Sequence, residues 1–548
     1  MSIKPGSFHG GIRLDDHKAE SLVQPLQQAS LPEQLILPLK QHIGEPNKPL
    51  VNVGDRVLRG QLIAHSSSAI SAPVHAPSSG VIREIGLRLV AHASGQMADC
   101  IVIDVDGKDE PVQLEPIDAD QMSAADMISH ICRSGIVGLG GASFPTSPKL
   151  SRSSALGIQT LIINGVECEP YITCDDILMQ TRAAQVISGI GYLQRMLTPA
   201  TTLIGIEDNK PKAIAAMQQA LALQPLANTE VVVIPTIYPS GGEKQLIEVL
   251  TGKQVPRGQL AFDIGICCHN VGTCAAITQA LEHNQPLISR IVTVSGDGIR
   301  QPGNWEVRLG TPIQHLIKLA GGYTRSDSSR RYVVMGGPMM GFSLPGDSAP
   351  IVKATNNILV MQHQLIAQQP GPHAECVRCG QCAEVCPAQL LPQQLYWHSR
   401  AKDYAKAQEY NLFDCIECGC CAAVCPSQIP LVQYYRASKS EIRAARQATF
   451  KSDRARIRFE SRNKRLLLKK QQEEEKRRLK REALQKKKLA KEDDQAISDP
   501  VQAALERVKA NKKKQLIKPQ NTTSLTAAQQ RQIDAVDARR RAAREQKA

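Results

Sequence analysis

The chain has 548 residues, 42% of them hydrophobic, and carries a formal net charge of +14 at pH 7. A chain of this length is expected to form about three or four domains. No stretch approaches the roughly 18 apolar residues of a membrane span, and residues 1–9 are too polar for a secretory signal, so we expect neither feature.

Residues 30–110 are predicted to form a small β domain, because short apolar runs alternate with turns. The runs VGDRVLRGQLI (53–63) and APVHAPSSGVI (72–82) resemble the two halves of a lipoyl-type barrel-sandwich hybrid. The resemblance implies a hairpin tip at residues 65–70, where carrier proteins have a lysine and this chain has none. We therefore expect a structural or docking module rather than a swinging carrier arm.

Residues 111–285 are predicted to form an α/β domain. Apolar runs at 161–163, 202–206 and 231–234 alternate with helical stretches such as 212–223. Gly138, Gly140 and Gly141 form a glycine-rich loop that is followed by Phe144 and Lys149. Such a loop lets backbone N–H groups approach a phosphate, and a nearby lysine adds positive charge. By itself, however, a run of glycines is more often a turn than a ligand site.

Three later stretches strengthen this site: NGVECE (164–169), SGGE (240–243) and HNVGT (269–273). With the glycine-rich loop, and in this order, they resemble the flavin-bearing, NADH-oxidising subunit of respiratory complex I. The resemblance implies that FMN contacts Gly138, Gly140, Gly141, Lys149, Asn164, Glu167, Gly241, Glu243, Asn270 and Thr273. It implies that the catalytic candidates Phe144, Glu169 and Glu243 stack on or position NADH.

Three positions depart from the complex I pattern. Val166 replaces an aspartate, Gly242 a glutamate and His269 an asparagine. The departures affect flavin contacts near those positions and, more strongly, the NADH contacts. The alternative is that Glu167 and Glu169 belong to a solvated loop and that the order of the motifs is coincidental.

Residues 286–355 are expected to form a β-grasp domain. The runs IVTVSG (291–296) and EVRLGTP (306–312), followed by a short helical stretch and Gly321-Gly322, carry this prediction. They resemble the soluble-ligand-binding β-grasp domain that follows the flavin domain in related families.

Eight of the sixteen cysteines form two runs within residues 366–437, a segment that residues 370–372 (PGP) open. Both runs read C-x2-C-x2-C-x3-C-P, the tandem ferredoxin pattern, in which the last cysteine of each run ligates the other cluster. One [4Fe-4S] cluster is therefore predicted on Cys376, Cys379, Cys382 and Cys425, and a second on Cys415, Cys418, Cys421 and Cys386. Cys420 is surplus, and residues 390–410 between the runs are predicted to be helical.

Two other cysteine chemistries fit less well. Zinc sites pair two C-x2-C units and leave no place for the third cysteine and the proline, and a disulfide framework needs a secretory context. Reduced thiolates suit a reducing cytosol. The cysteine runs therefore indicate one-electron transfer.

Residues 438–548 are predicted to be a basic, helical or disordered tail. Residues 451–548 contain 30 Lys and Arg against 14 Asp and Glu, whereas the preceding 450 residues contain 36 against 38. Residues 462–491 are almost wholly Lys, Arg, Glu, Gln and Leu, as in an exposed helix or coiled coil. Residues 500–548 are expected to be disordered.

The order of hybrid barrel, flavin domain, β-grasp domain, tandem ferredoxin segment and basic tail resembles the C subunits of the Rnf (Rsx) ion-translocating electron-transport family, over about residues 1–437. The resemblance implies a translocase subunit that passes electrons between NADH and membrane subunits through FMN and two [4Fe-4S] clusters. It implies a peripheral position on the cytoplasmic side of the bacterial inner membrane, with ion transport carried by the partner subunits.

Two alternatives remain open. An NADH-dependent flavin/iron–sulfur cobalamin reductase has a similar architecture without an ion pump, although the basic tail favours a complex near anionic lipid headgroups. An iron–sulfur nucleic-acid-binding protein would fit the sequence pI near 9.1. The tail lacks aromatic residues for base stacking beyond Phe459, so no nucleic-acid partner is expected.

Overall fold

A computed structural model describes residues 5–92, 94–325, 331–362, 374–492, 500–514, 530 and 533–539. Residues up to Arg446 form one compact unit, and residues from Gln447 onward form a second. The first unit contains two small β-sheets, a parallel sheet with helices, a mixed six-stranded sheet and a helical cysteine-rich segment. Over the described ranges, no helix combines the length and apolar character that crossing a bilayer requires.

The N-terminal domain consists of two sheets with strand orders β2-β8-β7-β4 and β3-β5-β6. In chain order the strands are β1 Gln27–Gln28, β2 Gln34–Pro38, β3 Lys48–Pro49, β4 Arg56–Val57, β5 Leu62–His65, β6 Val74–His75, β7 Gly80–Leu89 and β8 Met97–Val105. Leu35 and Leu37 alternate along β2 and are buried with Ile101 and Ile103 of β8. This pattern of one buried face is what an antiparallel sheet needs for a core.

The second domain is a parallel sheet in the order β11-β10-β9-β12. Its elements are α1 Ala124–Arg133, α2 Thr146–Leu156, β9 Thr160–Asn164, α3 Cys174–Leu197, β10 Thr201–Glu207, α4 Pro211–Leu223, β11 Thr229–Ile234, α5 Glu243–Thr251, β12 Ile266–Asn270 and α6 Val271–His283. Strands β10 and β11 lie on one side of β9 and β12 lies on the other, so the strand order reverses between β9 and β12. Ligands of open α/β sheets bind outside the carboxyl ends of strands at such a switch point. Asn164 and Asn270, the last residues of these two strands, are register partners there.

The third domain is a mixed sheet in the order β1-β14-β13-β17-β15-β16, with β1 contributed from the N-terminal region. Its remaining elements are β13 Ser289–Ser295, β14 Gly303–Arg308, α7 Ile313–Leu319, β15 Tyr332–Met335, β16 Phe342–Ser343 and β17 Asn357–Met361. Trp305, Ile313, Leu316 and Ile358 belong to its buried core. The predicted sheet and helix are confirmed, and residues 326–330 lie outside the described part.

The cysteine-rich segment contains α8 Gln381–Glu384, α9 Pro392–Arg400, α10 Tyr404–Glu409, α11 Cys420–Ala423 and the start of α12 Leu431–Glu492. The predicted helix between the cysteine runs is two helices, because Lys402 adopts φ +56° and Asp403 caps α10 by accepting the Lys406 N–H. Tyr435 and Ile442 of α12 are buried in the core of this segment. The predicted opening of the segment at residues 370–372 lies outside the described residues.

The basic tail is helical over much of its described part. The helix predicted over 462–491 is confirmed as part of α12, and its residues 462–487 are exposed. The expected disorder is wrong for residues 500–514, which form α13 Pro500–Lys514, and for residues 533–539, which are also helical. Pro500 at the first helical position, followed by Ala, Leu, Glu, Arg and Lys, provides a helix start and strong helix formers. Residues 515–529, 531–532 and 540–548 lie outside the described ranges.

Candidate functional site

The glycine-rich loop lies at the switch point and is open to solvent. Gly140 and Gly141 are exposed. Gly141 has φ +107°, and no atom lies within 4 Å of the place where a Cβ atom would be. A Cβ atom on Gly140 would lie 3.3 Å from the Asn270 side chain, so the loop passes directly over the end of β12. The Gly138 N–H donates to the Phe144 carbonyl oxygen across 2.8 Å, which closes the turn into α2.

The start of α2 has buried hydroxyl groups without partners. The helix begins after Pro145 with no side-chain cap, and the hydroxyl oxygens of Ser143 and Thr146 are buried without a hydrogen-bond partner among the described atoms. A buried polar atom without a partner costs free energy, so such atoms commonly face a ligand or water. This loop therefore fits a phosphate group, which accepts hydrogen bonds from hydroxyls and helix N-termini.

The structure brings several predicted FMN residues together around this loop. The Asn164 side chain donates to the Gly241 carbonyl oxygen across 2.9 Å. The Leu139 N–H donates to the Thr273 hydroxyl across 3.0 Å, which joins the loop to α6. Asn270 accepts the Gly272 N–H at the start of the same helix. The glycine-rich loop thus meets the end of β12 and the start of α6, and Asn164 at the end of β9 contacts Gly241.

Lys149 extends from α2 towards α5. Its ammonium donates to Glu243 Oε1 across 3.0 Å and to the Cys268 carbonyl oxygen across 2.6 Å. Burial lowers the pKa of Lys149, but the Glu243 carboxylate and the nearby Cys267 and Cys268 outweigh it and leave the pKa raised. Beside this pair lies Gly242, one of the three positions that depart from the complex I pattern. Next to it, Gln245 Oε1 is buried without a hydrogen-bond partner in the described structure.

Glu167 caps helix α3. Its carboxylate accepts the N–H groups of Asp175 and Asp176 across 2.6 and 3.2 Å. Burial raises the pKa of Asp175 to about 7, the charge of Glu167 adds to the increase, and the hydrogen bond from Asn270 opposes it. The predicted contact of Glu167 with FMN stays a prediction, and its observed role is to hold the start of α3.

Glu169 lies against the β-grasp domain. Its Oε1 atom accepts the N–H groups of Met339 and Met340 across 2.8 and 2.9 Å. A side chain on Gly337 would collide with Glu169, at 2.1 Å. The ammonium of the buried Lys18 donates to the Glu169 carbonyl oxygen across 3.0 Å. The predicted role of Glu169 towards NADH remains a prediction, as does that of the half-buried Phe144.

The residues around the glycine-rich loop and the start of α2 fit FMN at its phosphate end. Sequence reasoning missed three of them, Ser143, Thr146 and Gln245, as candidates. Ser143 and Thr146 are hydroxyl residues inside the glycine-rich motif and could have been found there, whereas nothing in the sequence marks Gln245. A separate cavity of about 930 Å³ adjoins the loop at Leu139 and Gly272, but none of the predicted FMN residues lines it.

The cysteines of the two runs line two separate cavities. The first cysteine cavity is lined by Cys376, Cys379, Cys382 and Cys425. The second cysteine cavity is lined by Cys386, Cys415, Cys418 and Cys421, together with the surplus Cys420. Each cavity therefore combines three cysteines of one run with the last cysteine of the other. Four thiols facing one cavity fit a [4Fe-4S] cluster, and the crossed arrangement is the one that the sequence predicts.

The two cysteine cavities differ in exposure and in polar surroundings. Cys379 in the first is exposed, whereas Cys386, Cys418 and Cys421 in the second are buried. The Lys439 ammonium donates to the Cys415 carbonyl oxygen across 2.6 Å beside the second cavity. Hydrogen bonds and burial both tune cluster potentials, so the two sites are expected to have different potentials.

Models of four protein families match successive parts of the chain. They are the RnfC barrel sandwich hybrid domain over residues 6–108, the Nuo51 FMN-binding domain over 131–279, the SLBB domain over 291–343 and the 4Fe-4S dicluster domain over 375–429. The chain therefore carries an FMN-binding domain and a 4Fe-4S dicluster domain.

The chain is also similar to solved structures of an NAD+-reducing [NiFe]-hydrogenase. For the H2-reduced state the TM-score is 0.43 at 19% identity, covering 61% of this chain and 67% of that chain. For the air-oxidised state the TM-score is 0.41 at 19% identity, covering 53% and 55%.

Curated relatives are named as the C subunit of the ion-translocating oxidoreductase complex. The protein from Vibrio cholerae serotype O1 is 46% identical over 93% of this chain and 65% of its own length. The Pseudomonas aeruginosa protein is 47% identical over 92% and 65%. The Yersinia pestis bv. Antiqua protein is 47% identical over 84% and 73%. This chain thus spans 65% of the length of the Vibrio and Pseudomonas relatives, and it belongs to the family of C subunits of the ion-translocating oxidoreductase complex.

Proposed function

We propose that this chain passes electrons between NADH and the membrane subunits of an ion-translocating oxidoreductase complex, through FMN and two [4Fe-4S] clusters. The observation that carries the proposal is the lining of the two cysteine cavities, each by three cysteines of one run and the last of the other. Both cavities lie in the same compact unit as the open glycine-rich loop. A flavin site and two cluster sites in one unit suit conversion of a two-electron donor to one-electron carriers.

The glycine-rich loop supplies the binding part of this function. Its backbone, the uncapped start of α2 and the hydroxyls of Ser143 and Thr146 hold the phosphate. Lys149 adds positive charge, and its bond to Glu243 fixes the carboxylate at the start of α5. FMN held there would supply the chemistry that accepts a hydride from NADH and releases electrons singly. Asn164 and Gly241 line the approach to the switch point, and we propose that Phe144, Glu169 and Glu243 position the nicotinamide.

The cysteines supply the electron-transfer part. We assign one cluster to each cysteine cavity, with Cys386 and Cys425 as the crossed ligands. The name of the relatives supports partners in a membrane complex, and we place the chain at the cytoplasmic face of the bacterial inner membrane. The basic tail is suited to an anionic lipid surface. Ion movement would belong to the partner subunits.

Co-purification tests this proposal. The full chain, tagged and isolated from gently solubilised membranes, is expected to bring integral membrane subunits with it and to contain FMN and about eight irons. NADH should reduce the flavin in that preparation. A preparation that contains cobalamin-reducing activity but no integral membrane partner would overturn the assignment to a membrane complex. A preparation that binds nucleic acid and contains no flavin would overturn the flavin assignment.

A further inference from the structure

A small apolar cluster joins the flavin domain to the cysteine-rich segment. Three of its residues, Tyr238, Cys418 and Cys420, are buried. The residues packed against them come from the N-terminal segment, the flavin and β-grasp domains and both cysteine runs: Ile12, Leu14, Cys168, Met339, Val385 and Ile416. We call this cluster the Tyr238 junction. It places a flavin-domain side chain in contact with a predicted cluster ligand.

Tyr238 makes the direct connection. Its side chain is 3% exposed, and its hydroxyl donates to the Cys418 carbonyl oxygen across 2.6 Å. This hydrogen bond joins a buried side chain of the flavin domain to the backbone of a predicted cluster ligand.

The other end of Tyr238 leads to the flavin site through a tight loop. Ser240 N–H donates to the Ile237 carbonyl oxygen and Gly242 N–H to that of Pro239, across 2.8 and 2.9 Å. Gly241, a proposed FMN contact, donates its N–H to Cys168 Sγ across 3.3 Å. Gly241 follows Tyr238 by only three residues, which limits their Cα distance to about 11 Å.

The first cysteine cavity is more open than the second. Both are lined by residues of the cysteine-rich segment, and the first includes the exposed Cys379. The second cavity is buried and contains Cys418, the residue that Tyr238 contacts. Electron transfer slows steeply with distance, so the cavity joined to the flavin domain is the better first acceptor.

We propose that Tyr238 is a positioning residue that makes the cluster on Cys386, Cys415, Cys418 and Cys421 the first electron acceptor from the flavin. The inference rests on the proposed function. One NADH gives up two electrons and leaves as NAD+ with one proton released. Each of the two clusters takes up one of these electrons, the second-cavity cluster first and the more exposed first-cavity cluster from it.

The test uses the full chain loaded with FMN and both clusters. After mixing with NADH, rapid freeze-quenching followed by EPR is expected to show the second-cavity signal before the other. In Tyr238→Phe, the rate of cluster reduction relative to flavin reduction should fall, because the hydrogen bond that joins the flavin domain to Cys418 is lost. The midpoint potential of the second-cavity cluster should fall, because Cys418 loses a donor to its carbonyl, while the other potential stays unchanged.

Tyr323→Phe is the matched control. Tyr323 of the β-grasp domain also donates its hydroxyl across 2.6 Å, to Asp347 Oδ2, but it lines neither cysteine cavity and is not part of the Tyr238 junction. It should leave the ratio of cluster to flavin reduction unchanged. An equal effect in both variants, or earlier reduction of the first-cavity cluster in the wild-type chain, would overturn the inference. Failure of NADH to reduce the flavin at all would instead count against the proposed function.

Discussion

Cys386 of the first cysteine run lines the same cavity as Cys421 of the second run, and the two side chains are only 9% and 8% exposed. The last cysteine of a run therefore lies with the other run's first three. Cys386 therefore belongs to the second cavity, although the other three cysteines of its run line the first. A substitution at Cys386 is expected to affect the second-cavity cluster alone.

Cys386→Ala is expected to damage the second-cavity cluster and leave the first. The wild-type chain should contain about eight irons and eight sulfides when reconstituted anaerobically, and the variant about half of each. The matched control is Cys420→Ala, which removes a buried cysteine from the same cavity without removing a predicted ligand. Iron analysis and EPR check both, and loss of only the first-cavity signal in Cys386→Ala contradicts the crossed assignment.

Lys149→Glu and Gly140→Arg should each abolish flavin binding and NADH-dependent reduction while both clusters assemble. The glutamate would face Glu243 and lose the bond to the Cys268 carbonyl, and the arginine would fill the space beside Asn270. Loss of a charged hydrogen bond predicts at least about a tenfold weaker FMN affinity.

Flavin fluorescence and NADH:ferricyanide activity measure both effects of the glycine-loop variants. Lys212→Glu, an exposed lysine on α4, is the charge-matched control and should bind FMN normally. Normal FMN content in both Lys149→Glu and Gly140→Arg would rule out the loop as the flavin site.

Asp175→Asn should change the pH dependence of stability. Burial and Glu167 raise the pKa of Asp175 to about 7, so between about pH 4 and 7 the folded state holds the proton more tightly than the unfolded state. Wild-type stability therefore falls as pH rises through this window, by at most about 1.4 kcal/mol per unit from this group.

Thermal unfolding of the flavin-free chain measures this effect. The melting temperature of Asp175→Asn minus that of wild type should grow from pH 4 to 7 and then level off. Asp120→Asn, at a residue whose side chain is 88% exposed, is the control for loss of one carboxylate. A difference that stays constant across the window contradicts the assignment.

Removal of the tail after Arg446 should leave NADH oxidation by an artificial acceptor intact, because every proposed cofactor residue precedes that point. The cut lies there because Ile442 is buried in the core of the cysteine-rich segment and Arg446 contacts Gln408. Each Lys or Arg near an anionic surface contributes about 1 kcal/mol at low salt.

Salt-dependent release from anionic vesicles distinguishes an attachment role of the tail from a solvated appendage. The full chain should be released as salt rises, whereas the truncated chain should bind weakly at every salt concentration. Equal retention of both forms at all ionic strengths would locate attachment in the folded domains and leave the tail without this role.

The parts of the fold that could be predicted from the sequence are those with a local pattern. The apolar runs of β9, β10 and β11 are continuous because a parallel sheet is covered on both faces. The cysteine spacing predicted which residues share a cavity, since three closely spaced thiols leave the fourth position to the other run. The glycine-rich loop was predicted because its composition allows close approach to a phosphate.

Contacts between distant segments could not be predicted in this way. Nothing near Lys18 in the sequence indicates that its ammonium lies within 3.0 Å of carbonyl oxygens of Glu167, Glu169 and Ile172. Tyr238 has no motif around it, and its partner Cys418 lies 180 residues away. Glu169 was predicted from a motif, but its partners belong to a different domain.

An anaerobic titration of the full chain with NADH gives the sharpest test of the proposed electron path. The chain should carry FMN and both clusters, and flavin absorbance and cluster EPR should be followed together. We predict that NADH reduces the flavin of the wild-type chain and that both cluster signals appear. In Gly140→Arg, we expect the clusters to be reduced by dithionite but not by NADH. A wild-type chain whose clusters are reduced by dithionite, but whose flavin stays oxidised with excess NADH, would contradict this path.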